Sequence, residues 1–146
     1  MNPLSPSAVV RHTDIDATLA SDSVVGKRLL EPMKAIAAAN NLPFKIIEDH
    51  QVPVSECEVH ILEGDLWCCL EGSVRFVTGG TLVDPKHRPN ADGTPNPNEL
   101  VAETIEGGSE TILEKGDWLW IPPGQPHLHT CEGTARLLIV KIPVAK

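Results

Sequence analysis

The chain has 146 residues, of which 41% are hydrophobic and 22% charged, and its net charge is −8. That length suits one domain with its own core, and the composition excludes disordered, collagen-like and coiled-coil chains. The acidic balance, with no cluster of Lys and Arg, excludes a nucleic-acid-binding surface. No apolar window approaches a membrane span and no basic stretch precedes an apolar run at the N-terminus, so a cytoplasmic protein with a small-molecule partner and no membrane contact is expected. Cys57, Cys68, Cys69 and Cys131 lack paired C-x-x-C spacing and are expected to be free thiols.

In chain order, the first periodic segment runs from about Ser21 to Asn40, where Val24, Val25, Leu29, Leu30, Met33, Ile36 and Ala37 recur at near-helical spacing. Pro32 divides it, so a short helical turn before Glu31 and a second helix opening at Pro32 are expected. Ser21, Asp22 and Ser23 are candidate caps, and Asn40, Asn41 and Pro43 end the second helix. This part is expected to act as a cover, packed on the remainder of the chain or on a partner copy.

From Pro43 the pattern changes to short strands punctuated by Gly, Pro and Asn: Phe44 to Glu48, Glu56 to Leu62, Leu66 to Leu70, Val74 to Thr78, Thr111 to Leu113, Trp118 to Ile121 and Arg136 to Ile142. Strands without intervening helices predict an all-β sandwich or barrel. The domain reading is an N-terminal extension with helices over 1–43 and a β-barrel over 44–146, one domain overall. DPKHRPNADGTPNPNE, from Asp84 to Glu99, carries too many prolines and asparagines for a ladder and is expected to be a long loop.

Two stretches carry chemistry. In GDWLWIPPGQPHLH, Pro122-Pro123-Gly124 predicts a rigid turn that aims the strand after it, where alternation puts His127 and His129 on one face. In CEVHILEGDLWCCLEG, Glu58 and His60 share a strand face and Asp65 follows a turn at Glu63-Gly64. Two imidazoles and two carboxylates in one pocket suit Fe(II), Mn(II), Zn(II), Ni(II) or Cu(II).

These stretches resemble the paired signature motifs of the cupins, small antiparallel β-barrels often built round one metal. Gly116, Pro122, Gly124 and His127 match the second motif in full. In the first motif Glu58, His60, Asp65 and Gly72 take the expected places, with Glu58 where the family has histidine and Asp65 where it has glutamate. The resemblance spans roughly Gln51 to Ile142 and implies a jelly roll, or double-stranded β-helix, with a short helical segment ahead of it. It also implies a metal held by His60 and His127, and it makes a homodimer the expected assembly.

Two readings stand for each replaced position. Glu58 is a ligand or a hydrogen-bond partner of a ligand imidazole; Asp65 is a ligand, direct or through water, or a turn residue. His129 lines the pocket or acts as acid and base. Trp67 has the parity of Asp65 and is read as a pocket wall or as core, while Cys69 and Cys131 face inward by alternation. His87 and Arg88 close over a substrate carboxylate or belong to a solvated loop. The functional expectation is a metal-dependent dioxygenase, isomerase or lyase acting on a small organic molecule, with Fe(II) first among the ions. The alternatives are a non-catalytic binding or sensing barrel and a partner-binding barrel.

Overall fold

The structure is a computed structural model and describes residues 6–144; residues 1–5 and 145–146, at the two ends of the expected extension and barrel, lie outside it. The elements in chain order are α1 (His12–Leu19), β1 (Gly26–Leu29), α2 (Met33–Asn40), β2 (Phe44–Val52), β3 (Cys57–His60), β4 (Glu63–Glu71), β5 (Ser73–Thr78), β6 (Thr81–Leu82), β7 (Lys86–Pro89), β8 (Pro95–Ala102), β9 (Ile105–Glu106), β10 (Ser109–Glu114), β11 (Trp118–Ile121) and β12 (His127–Pro143). Every pairing between them is antiparallel.

Two sheets share β12. Residues 127–130 pair with β5, and His127 also pairs with Glu58 of β3, which continues to β8 and β7; β5 continues to β10. Residues 131–143 instead join β2 on one side and β4 on the other, and β1 and β11 complete that layer. The register shifts between Cys131 and Thr134, and such a bulge bends a long strand and increases its twist. The sheet does not close into the barrel expected from the sequence, but the jelly-roll arrangement holds.

Between the layers lies a core of Trp67, Cys69, Val74, Phe76, Leu113, Ile121, Cys131, Ala135, Leu137 and Ile139. The outer face of the β2–β12–β4 layer is covered by the helices, which pack Leu30, Met33 and Ala37 against Ile46, with Ile15, Leu19 and Leu138 at the margin. Gly72, at the turn from β4 to β5, has φ +74°, and a Cβ there would collide with the carbonyl of Thr134. This close approach explains the glycine at that motif position.

Three expectations are corrected. The helical turn before Glu31 is strand β1, because Lys27, Arg28 and Leu29 find a ladder on β2 opposite Asp49, Glu48 and Ile47, and pairing overrides the apolar spacing. The helix absent from the sequence reading is α1, whose Asp14 carboxylate accepts the Arg11 backbone N–H at 3.0 Å; its Asp and Thr content hid it. The Asp84–Glu99 loop is largely the β7–β8 hairpin, where Pro89 opposes Pro95 across a turn closed by Asn90 N–H to the Thr94 carbonyl at 2.7 Å. The hairpin lies at the sheet edge, where missing proline donors break no interior ladder.

A buried ion pair ties the helical segment to the sheets. The Glu48 carboxylate, fully buried, accepts from Arg136 Nη2 at 2.7 Å, Arg136 Nε at 2.9 Å, Arg28 Nε at 3.2 Å and the Val24 backbone N–H at 3.0 Å. Arg136 also donates to the carbonyls of Leu19, the last residue of α1, and Ser21, just past it. Burial opposes the charge on Glu48, but the Val24 N–H and the two guanidiniums outweigh it, so the carboxyl sits below its ordinary value of 4.5. A lowered folded-state pKa gives stability that is present above about pH 4.5 and lost as pH falls through the folded value. Arg136→Met is therefore expected to cost about 3–5 kcal/mol in urea unfolding at pH 7. For Glu48→Gln, the deficit against the parent protein should narrow as the pH is taken below about 4.5.

Candidate functional site

The candidate site sits where β3, β4 and the start of β12 meet. The turn at Pro122-Pro123-Gly124 fixes its entry: Gly124, at φ +81°, donates its N–H to the His60 carbonyl at 2.8 Å, and Gly79 N–H donates to the Pro126 carbonyl at 2.8 Å. The turn is thus hydrogen-bonded to the strand end that carries His60, and the chain leaves it directly into His127 on β12.

Glu58, His60, Asp65 and His127 converge, as their motif positions predict. The His60 Nε2 lies 3.4 Å from Asp65 Oδ2 and 3.8 Å from Glu58 Oε1. The His127 Nε2 lies 3.5 Å and 3.6 Å from the same two oxygens. The imidazole rings are 5.1 Å apart, centroid to centroid. One ligand atom each from Glu58, His60 and His127 fall within 4.8 Å of one another, the compactness a metal ion requires.

Both imidazoles are held with Nε2 turned toward the cluster. His60 Nδ1–H donates to Glu99 Oε2 at 2.5 Å and His127 Nδ1–H to the Gln125 carbonyl at 3.1 Å; both partners only accept, so the hydrogen is on Nδ1 in each ring. Such contacts orient metal-binding imidazoles and strengthen them as ligands. Asp65 Oδ2 and His127 Nε2 are buried and have no hydrogen-bond partner. Two buried acceptors facing each other are repulsive unless positive charge, a proton on the imidazole or a metal cation, lies between them, and a divalent ion fits this donor set of two imidazole nitrogens and two carboxylate oxygens.

The electrostatics agree with that demand for positive charge. Burial resists the charge on Glu58, but His127, His60 and Lys141 overcome it and hold its carboxyl far below the ordinary range. Asp65 is lowered despite burial by His60 and Lys141, and His60 is raised despite burial chiefly by Asp65. Lys141, absent from the sequence reading, reaches in from β12 with Nζ 2.7 Å from Asp65 Oδ1 and 3.4 Å from His60 Nε2. Its register opposite Asp65 was not visible without knowing that β4 pairs with β12.

The site opens into a cavity of about 660 Å³, with walls that include Leu29, Ile47, Val52, Trp67 and Ile139. Trp67 is a pocket wall and a core residue at once, packing at a tilt against the rings of Phe76 and His129. His129 reaches the same cavity; its Nδ1–H donates to Asp49 Oδ2 at 2.5 Å, leaving Nε2 as a proton acceptor. Lys27, which lines the cavity beside it, has its pKa lowered by desolvation against the pull of Asp49, Glu58 and Glu56. Cys69 does not line the cavity as expected; it is fully buried in the core and bonds to the carbonyls of Glu71 and Gly72. Arg88 does line it, but from strand β7 and already paired with Glu56 and Glu58 at 3.0 Å each, so it braces the cluster where a mobile loop residue was expected. His87 turns to the Glu99 carbonyl at 3.2 Å instead of the cavity. All four cysteines are free and buried, and burial pushes the Cys69 thiol up to about 11.

Sequence reasoning also missed Asp49 and Glu99. Each lies on a strand distant in sequence from the imidazole it orients, and parity alone cannot say which imidazole it meets. Glu99→Gln is expected to weaken divalent-metal affinity by roughly 10- to 100-fold while leaving the fold intact, read by competition against a chromogenic chelator.

No family model matches the chain, and no curated protein matches it. Among solved structures it is similar to YcfD, a ribosomal oxygenase from Escherichia coli, with a TM-score of 0.54 at 20% identity over 87% of this chain and 35% of that one. A second structure of that protein, in complex with cobalt and 2-oxoglutarate, gives 0.53 at 18% identity over 82% and 32%. The chain therefore spans about a third of the length of the YcfD chains it superposes on. At this identity the likeness concerns the fold alone, a jelly roll.

Proposed function

We propose that this cupin-fold chain binds one divalent metal and uses it to transform a small organic molecule held in the adjoining cavity. The observation that carries the reading is the convergence of two Nε2 atoms with the oxygens of Glu58 and Asp65, two of these four atoms being buried and unpartnered. His60, His127, Glu58 and Asp65 would hold the ion, which would act as a Lewis acid toward a bound oxygen atom. Fe(II) is the first choice if O₂ is the co-substrate, and the similar fold of a YcfD structure in complex with cobalt and 2-oxoglutarate supports metal binding as the reading.

The chain's own residues do the rest. Glu99 and the Gln125 carbonyl keep both ligand imidazoles in the coordinating tautomer. Asp49 does the same for His129, whose Nε2 accepts a proton from a molecule in the cavity while Asp49 stabilises the resulting imidazolium. Trp67 and the aliphatic walls exclude water from one side of that molecule. Four unpaired thiols support a reducing, cytoplasmic setting, and a homodimer is the proposed assembly. No helix among the described residues is long and apolar enough to cross a membrane.

A second reading has an observation of its own. The Lys141 ammonium already stands against Asp65 and His60, where it supplies positive charge without a metal, as a binding or sensing barrel would use it. Elemental analysis of untagged protein purified without chelator separates the two. About one equivalent of a transition metal, absent from His60→Ala/His127→Ala, is expected; no metal after attempted reconstitution overturns the metal reading. In that event, metal uptake by Lys141→Met alone would identify the ammonium as the ion's substitute.

A further inference from the structure

Four cationic side chains line the cavity: Lys27, Lys45, Arg88 and Lys141. Two are neutralised, Arg88 by Glu56 and Glu58 and Lys141 by Asp65 and Glu63. Lys27 and Lys45 make no ion pair among the described residues, in a chain with 20 Asp and Glu against 12 Lys and Arg. Lys27 is held in place by uncharged contacts: its Nζ donates to Ser55 Oγ at 2.6 Å and lies 3.4 Å from His129 Nε2. Asp49, opposite Lys27 on β2, bonds to His129 Nδ1 on the other side of the ring from Lys27 instead. An exposed ammonium at the cavity, positioned by neutral partners and in no ion pair, is available to pair with an anionic ligand.

The walls say what else that ligand must be. From Lys27 the inward face runs over Leu29, Ile47 and Val52 to Trp67 and Ile139. Lys27 pairs with Asp49 on β2, and Lys45 lies four residues further along that strand, about 13 Å away at the backbone. At that backbone spacing the two lysines do not sit side by side as one polyanion site. We propose that Lys27, with Ser55, is the carboxylate-binding subsite of the cavity, and that the ligand is a small monocarboxylic acid with an aromatic or aliphatic body. The acid lies with its carboxylate on Lys27 Nζ and the Ser55 hydroxyl and its body against Ile47 and Trp67, between that subsite and the imidazole cluster. This deepens the preceding reading and rests on it only in using the same cavity.

The test compares acids with their uncharged isosteres. Benzoate and hexanoate, against benzamide and hexanamide, are titrated calorimetrically into the full chain as purified and after chelation. The chelated sample separates the two readings, because a carboxylate preference there owes nothing to a metal and a failure to take up metal leaves it untouched. Acids are expected to bind roughly tenfold or more tightly than amides in both samples, the difference a charge-assisted hydrogen bond provides. That preference should vanish in Lys27→Met, return in Lys27→Arg and persist in Lys45→Met, with thermal unfolding confirming that each variant is folded. Equal binding of acid and amide, a preference that survives in Lys27→Met, or no binding of either acid at millimolar concentration overturns the proposal.

Discussion

Strand β12 hydrogen-bonds to β3 and β5 with its first four residues and to β2 and β4 with the rest, so one continuous backbone belongs to both layers of the jelly roll. The site inherits its geometry from that pairing. His127 opposes Glu58 on β3, Lys141 opposes Asp65 on β4, and His129 meets Asp49 from β2, each contact made across β12. A slip of one residue in this strand would turn His127 and His129 to the opposite face and bring neutral residues to the cluster. The register shift at Cys131–Thr134 bends the strand where it passes from one layer to the other.

Charge then decides what the cluster accepts. Glu58 and Asp65 place two carboxylates against two imidazoles in a partly buried pocket, a combination that demands positive charge from a proton, an ammonium or a metal. Lys141 meets part of the demand through Asp65 Oδ1 and leaves Oδ2, which points between the imidazoles, unmet. The shorter aspartate is compatible with this double duty because β4 holds it nearly inaccessible to solvent, at 1% exposure, with its two oxygens facing different partners.

Much of the site was legible because its signals are local. The Pro-Pro-Gly turn with His127 three residues after the glycine, and the shared parity of Glu58 and His60, need only neighbouring residues and the period of a strand. The all-β character and the extent of β11, Trp118–Ile121, were readable for the same reason. What was not legible depends on partners remote in sequence. Strand β1 reads as helix until β2 offers it a ladder, and the proline-rich hairpin reads as loop until its edge position removes the cost of missing donors. Glu99, Asp49, Lys141 and Lys27 look like ordinary surface charges in the sequence; only the strand order brings them to His60, Asp65 and His129.

The burial of the four thiols bears on how this protein can be handled in the laboratory. Each is buried, and burial opposes the thiolate, the form that alkylating reagents attack. The native chain is therefore a silent background for thiol-directed labelling. A single cysteine placed at an exposed position such as Trp118, outside the cavity on β11, would carry a spectroscopic probe without first deleting any native thiol from the core.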